Sequence, residues 1–172
     1  QGVLDGIDFV TGTFSKALAG IGGFCVSHHE ALRLLHFTSR PYVFTASGSP
    51  ANIASVEAAL RILRSDRALR EQLWANVRQI RAGLTALGFR IGATESPIVP
   101  IEVGTADQAV ATWAALLDAG VYTNIVLPPA CRADACLLRT SFSAAHTPAQ
   151  LDEALGVFER IGREHSLIGA AA

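Results

Sequence analysis

Two runs of apolar residues at helical spacing occupy the middle of the chain and limit what it can fold into. Ile53, Val56, Leu60 and Leu63 form the first, and Leu69, Leu73, Val77, Ile80, Leu84 and Leu87 form the second. Steps of three and four put such residues on one side of a helix, and that side must be covered. Ser49-Pro50 opens the first run, with proline at the first helical position. The second opens at Asp66 and stops at Gly88. The arginines between its apolar positions read as a solvated face. Two such helices, flanked on both sides by strand-like segments, predict an α/β chain. The expected division is the end of a larger α/β domain over 1–47, connecting helices over 48–87, and a small α+β domain over 88–172.

The flanking segments fill in this outline. Ile7, Phe9 and Val10 read as a buried strand over 7–11 that ends at a Thr-Gly turn, and Gly23 to Val26 as its returning partner. Ser27 with Glu30 has the spacing of a capping box, opening a helix that carries Leu32, Leu34 and Leu35. Residues 40–47 read as extended. Phe89 to Ile91 and Ile98 to Val103 read as strands, and 106–119 as a helix with Val110, Trp113, Leu116 and Leu117 inward. Val121 to Ile125 is a short strand or loop, broken by Pro128-Pro129. Leu137 to Ser143 is a further strand. Thr147-Pro148-Ala149-Gln150 caps a last helix whose buried stripe is Leu151, Leu155, Phe158 and Ile161. The tail from Gly169 is expected to fray.

Composition narrows the function. Half of the 172 residues are hydrophobic and the net charge is −1, so the chain can bury a sizeable core. It has no basic stripe and no interleaving of aromatic with basic residues, which argues against a nucleic-acid partner. No apolar run is long enough to span a bilayer, and no signal peptide is visible. Cys25, Cys131 and Cys136 are odd in number and lack the spacing of a disulfide framework, which points to a reducing, cytoplasmic setting. Cys25, His28 and His29 have poor spacing for zinc, so no metal is expected. The chain lacks methionine and reaches a strand almost at once after Gln1. A substantial N-terminal portion is therefore expected to precede it.

The chemistry centres on Thr11-Gly12-Thr13-Phe14-Ser15-Lys16-Ala17, followed by Gly20-Ile21-Gly22-Gly23. Of fourteen fixed cationic side chains, Lys16 alone is a lysine. Arginine stays protonated, whereas a lysine can lose its proton when desolvated and then form a Schiff base. Thr13 and Ser15 bring hydroxyls near the amine, and glycines let backbone approach a ligand closely. An aldehyde cofactor with a phosphate handle, pyridoxal phosphate, would use all three features. Taken alone, the lysine could equally be a surface residue. Ser-Lys after glycine is not the Gly-Lys-Ser/Thr order of a nucleotide phosphate loop, and a Ser-Lys hydrolase dyad has no supporting pattern elsewhere. Arg139 stands out second. It interrupts the apolar strand around Leu137 and Leu138, where a buried guanidinium needs either an internal carboxylate or a bidentate substrate carboxylate.

Several separated stretches together resemble the α-oxoamine synthases, fold-type I pyridoxal-phosphate enzymes, and among them most closely the bacterial serine palmitoyltransferases. They are Gly12 to Lys16, Gly22-Gly23-Phe24, Arg40 to Ser47, Pro128-Pro129, Leu138 to Ser141, and Ala145-His146-Thr147. The resemblance implies that Lys16 holds the cofactor through a Schiff base and that Thr13 and Ser15 meet its phosphate or neighbouring atoms. It implies a homodimer with shared active sites, in which Thr45 and the backbone near Ala46 reach the second subunit's phosphate. It also implies that Arg139 binds the amino-acid carboxylate. The implied reaction is a decarboxylative condensation of a serine-like amino acid with an acyl thioester, carried by CoA or a carrier protein, within sphingolipid biosynthesis. The family's ring-stacking histidine, pyridine-nitrogen aspartate and second histidine have no match here, and neither Asp5 nor Asp8 fits the aspartate. Leu127 stands where bacterial serine palmitoyltransferases carry an arginine before the Pro-Pro pair, which leaves glycine- or alanine-using members open. A fold-type I aminotransferase would keep Lys16 and Arg139 without a thioester site. A non-catalytic scaffold subunit would typically lose the lysine, and a phosphate-binding module would need neither.

Overall fold

The computed structural model describes residues 2–169. Beyond Gly169, the tail expected to fray lies outside the described residues. The chain divides into two compact units, Gln1–Arg67 and Ala68–Ala172.

The first unit starts with a 3-10 turn, Leu4–Gly6, followed by β1 (Val10–Thr13) and β2 (Gly23–Val26). The two strands pair antiparallel, Val10 opposite Val26 and Thr13 opposite Gly23. The expected buried strand over 7–11 is corrected here. Pairing begins only at Val10, and Ile7 and Phe9 are 46% and 38% exposed. All of β2 is exposed, because a two-stranded ribbon has no second layer of its own in this unit.

Next comes α1 (Ala31–Thr38), without the expected capping box. Ser27 Oγ instead donates to the Asp8 carbonyl and accepts from the His29 amide at 2.8 Å, so it closes a turn before the helix. Residues 40–47 are not extended throughout. Arg40–Val43 form a single helical turn, α2, with Pro41 in the first turn after Ser39. α3 (Pro50–Ser65) starts as expected, with Ser49 Oγ accepting from the Asn52 amide.

The second unit holds most of the core. α4 (Ala68–Ala86) buries Val77, Ile80 and Leu84. The chain then turns through Gly88 at φ 93°, a backbone state that favours glycine. Phe89 to Ile91 is not a full strand and contributes one bridge, Ile91 opposite Ile101. β3 (Ile98–Gly104), β4 (Asn124–Val126) and β5 (Cys136–Ser141) form an antiparallel sheet in the order β3-β5-β4. α5 (Ala106–Asp118) is capped by a Thr105–Gln108 box and α6 (Pro148–Glu164) by a Thr147–Gln150 box. Val99, Ile101, Val103 and Leu138 from the sheet meet Leu84, Leu116, Phe158 and Ile161 from the helices in one apolar cluster. The inward face of α5 is Ala109, Thr112 and Leu116. Val110 and Leu117, expected inward, are exposed. The stripe of α6 is as read, with Leu151, Phe158 and Ile161 buried and Leu155 packed against the core.

Candidate active site

Lys16 sits in the loop joining β1 to β2. Phe14 opens and closes this loop, its amide donating to the Gly22 carbonyl and its carbonyl accepting from the Gly20 amide, both at 2.9 Å. The Phe14 and Phe24 rings stack at 5.9 Å. Ala19 lies in the left-handed region at φ 48°, an uncommon state for a residue with a β-carbon. Asn52, from α3, grips the loop tip. Its amide nitrogen donates to the Ile21 carbonyl at 2.8 Å, and its oxygen accepts from the Ile21 amide at 2.9 Å. At Gly20 an added Cβ would run into the Val56 side chain, and at Gly23 into the Gly12 carbonyl. Those glycines therefore let the loop lie close on α3 and on β1.

Thr13 and Ser15 come together at the end of β1. Their hydroxyl oxygens are 2.7 Å apart, Thr13 Oγ1 donates to the Gly22 carbonyl at 3.3 Å, and the Ser15 amide donates to Thr13 Oγ1 at 3.2 Å. Two hydroxyls and nearby backbone amides on one tight turn suit a phosphate. The residues therefore fit a phosphate-bearing aldehyde, with hydroxyl donors and an amine on the same loop. The expectation of a dry amine needs correction, because Lys16 is exposed in this chain. The first unit buries little apolar surface, so its own residues leave the Lys16 amine in water. Among the described residues its side chain forms no hydrogen bond or ion pair.

Thr45 and Ala46 are exposed. The Thr45 hydroxyl donates to the Pro41 carbonyl across the α2 turn, and it must release that bond to donate to a phosphate. Arg139 is also exposed, which corrects the buried guanidinium read from its strand. Alternation along β5 turns Cys136, Leu138 and Thr140 to the core and Arg139 away from it. Its cross-strand neighbours are Pro100 and Asn124. Glu102, two residues along β3 from Pro100, pairs with Arg90 at 2.6 Å. Among the described residues Arg139 has no ion pair, so its guanidinium fork is free for an external carboxylate.

Leu127 packs against the core ahead of the cis Pro128-Pro129 bond. Among the described residues no group of three or more His, Cys, Asp or Glu could hold a metal ion. Asn52 is the residue of this site that the sequence did not flag. Its position in the first turn of a proline-started helix was the available signal, but nothing in the spacing tied it to a loop about thirty residues earlier.

The model of the aminotransferase class I and II family matches residues 1–158. The chain belongs to that family. It is 44% identical over 171 residues to the serine palmitoyltransferase of Sphingomonas paucimobilis, covering 98% of this chain and 41% of that protein. It is 47% identical over 161 residues to the serine palmitoyltransferase of Caulobacter vibrioides, covering 94% and 40%. A solved serine palmitoyltransferase with a pyridoxal-phosphate internal aldimine superposes with a TM-score of 0.92 at 44% identity, covering 98% of this chain and 43% of that one. The resemblance to the α-oxoamine synthases and the α/β fold of the fold-type I enzymes are thus upheld. The chain spans about two-fifths of the length of these relatives. Among the described residues no helix is long and apolar enough to cross a membrane.

Proposed function

We propose that this chain forms part of a cytoplasmic, homodimeric, pyridoxal-phosphate-dependent acyltransferase that condenses a serine-like amino acid with an acyl thioester. The observation that carries this is the Lys16 loop, where an amine with no partner among the described residues shares a tight turn with two hydroxyls 2.7 Å apart. Likeness to serine palmitoyltransferases over nearly the whole chain supports it. In this reading 1–47 belong to the cofactor-binding large domain, 48–87 connect, and 88–172 form the small domain.

Pyridoxal phosphate, when bound, supplies the electron sink that stabilises a carbanion at the amino acid's α-carbon. Lys16 would hold the cofactor, and its Nζ would accept the α-proton of the amino acid. Thr13 and Ser15 hold the phosphate or atoms beside it. Thr45 and the Ala46 backbone reach the phosphate bound by a second copy. Arg139 takes the substrate carboxylate in a two-pronged contact. A carbon–carbon bond forms to the thioester carbonyl, and thiol and carbon dioxide leave, giving an aminoketone. Leu127 supplies no charge for the carboxylate, so that work falls to Arg139. Sphingolipid biosynthesis is the setting this chemistry suggests, and the rest of the relatives' length would supply the contacts to the cofactor ring.

The test uses the full-length protein loaded with cofactor. Borohydride is expected to abolish the visible absorbance and leave the cofactor's mass on Lys16. An amino acid with an acyl-CoA is expected to release carbon dioxide and free thiol. Lys16→Ala is expected to lose both signals while keeping the dimer, and product at the normal rate from that variant would sink the proposal. Amino-group transfer without thiol release would favour the aminotransferase instead.

A further inference from the structure

The loop between β4 and β5 carries two cysteines that the reaction does not use. Cys136 is the first residue of β5 and fully buried, and Cys131 is half-buried, packed against the same apolar cluster. The register explains how they meet. The Cys131 thiol donates to the Val126 carbonyl at 3.2 Å. Val126 lies opposite Leu137, the residue after Cys136. The loop therefore folds back so that its first thiol returns to the strand pair where the second one sits. Cys136 Sγ in turn lies 3.8 Å from the Arg132 carbonyl and 3.9 Å from that of Ala133, inside the same turn. The Arg132–Asp134 pair at 2.7 Å and the Ala135 amide on the Arg132 carbonyl hold the turn closed around them.

We propose that Cys131 and Cys136 are a redox modification site, a vicinal thiol pair that a low-molecular-weight disulfide converts to an intramolecular disulfide. The half-buried Cys131 is the point of entry. Its thiolate attacks one sulfur of the small disulfide, and one small thiol leaves. The Cys136 thiolate then attacks Cys131 Sγ and expels the second small thiol. The protein dithiol is oxidised by two electrons, the small disulfide is reduced to two thiols, and the two cysteine protons end on those thiols. Burial and the neighbouring Cys131 thiol push the Cys136 thiol up from its ordinary range. Cys136 therefore reacts only through a small thiolate fraction, and productively once the mixed disulfide stands beside it. Cys25, in the exposed β2, lies on the other unit and takes no part.

The sequence offers a clean readout, because trypsin cuts after Arg132, between the two cysteines. Purified protein is treated with oxidised glutathione, alkylated and digested without reduction. Peptides 91–132 and 133–139 are expected to travel as one linked species and to separate on reduction. Cys25→Ser is expected to behave like the parent, and Cys131→Ser to release 133–139 in both digests. A free 133–139 peptide from the oxidised parent would overturn the proposal. So would glutathione left on Cys131 without the internal bond, or a link from either cysteine to Cys25.

Discussion

Arg139 and Thr140 are adjacent in the chain and live in opposite surroundings. Thr140 is buried, with its hydroxyl donating to the Val99 carbonyl at 2.7 Å. Arg139 projects from the other face, without an ion-pair partner among the described residues. An exposed side chain with no hydrogen bond or ion pair among the described residues can be removed without unfolding the sheet, so its loss should register in binding. Arg139→Ala is expected to weaken amino-acid binding by about 1.5–3 kcal/mol, the range for a hydrogen bond to a charged group. That is roughly ten- to a hundredfold in KM, measured by steady-state kinetics on the holoenzyme, with the melting temperature unchanged. Arg139→Lys should recover part of it, since a point charge replaces a fork. The position of Arg139 on β5 was legible from alternation with Leu138. Its exposure was not, because a run of apolar neighbours does not say which side of a sheet is covered. The same holds for Lys16, whose loop was evident from glycines and hydroxyls while its hydration depended on layers that spacing cannot report.

Local signals of helix starts were read well where side chain and backbone had no competitor. Ser49-Pro50 and Thr147-Pro148 both cap as expected. Ser27 failed as a cap because the Asp8 carbonyl, nineteen residues earlier, captures its hydroxyl. The turn at Arg40–Val43 was missed because its aromatic and β-branched residues suggested a strand, while Pro41 was giving the same first-turn signal trusted at Pro50. On α5, apolar residues lie on more than one face, so the phase could be set wrongly by one step. The link from α3 to the Lys16 loop was invisible for a different reason, being a long-range pair made by one amide side chain. Asn52→Ala removes both bonds to Ile21, each worth about 1 kcal/mol. The Ile21 amide is expected to exchange roughly tenfold or more faster, with the amides of β3 and β5 unchanged. Unaltered exchange at Ile21 would show that the loop holds itself.

The two units differ in how much they bury. In the second, an apolar cluster runs from Ile80 to Ile168. In the first, Val56 is the one buried hydrophobic residue among those described. Hydrophobic burial supplies most of the favourable free energy of folding, so the units should differ in autonomy. Residues 68–172 expressed alone are expected to unfold in a single cooperative thermal transition, followed by circular dichroism, whereas 1–67 alone should show none. A cooperative transition in 1–67 would contradict this reading. One further consequence comes from β5 of the second unit, whose residues alternate between the core and the open side of the sheet. Along β5, positions 136, 138 and 140 answer to volume and shape, while 137, 139 and 141 answer to whatever meets the open side. Divergence in what a molecule of this kind recognises can then accumulate on alternate residues of a single strand, without touching the packing that lets it fold.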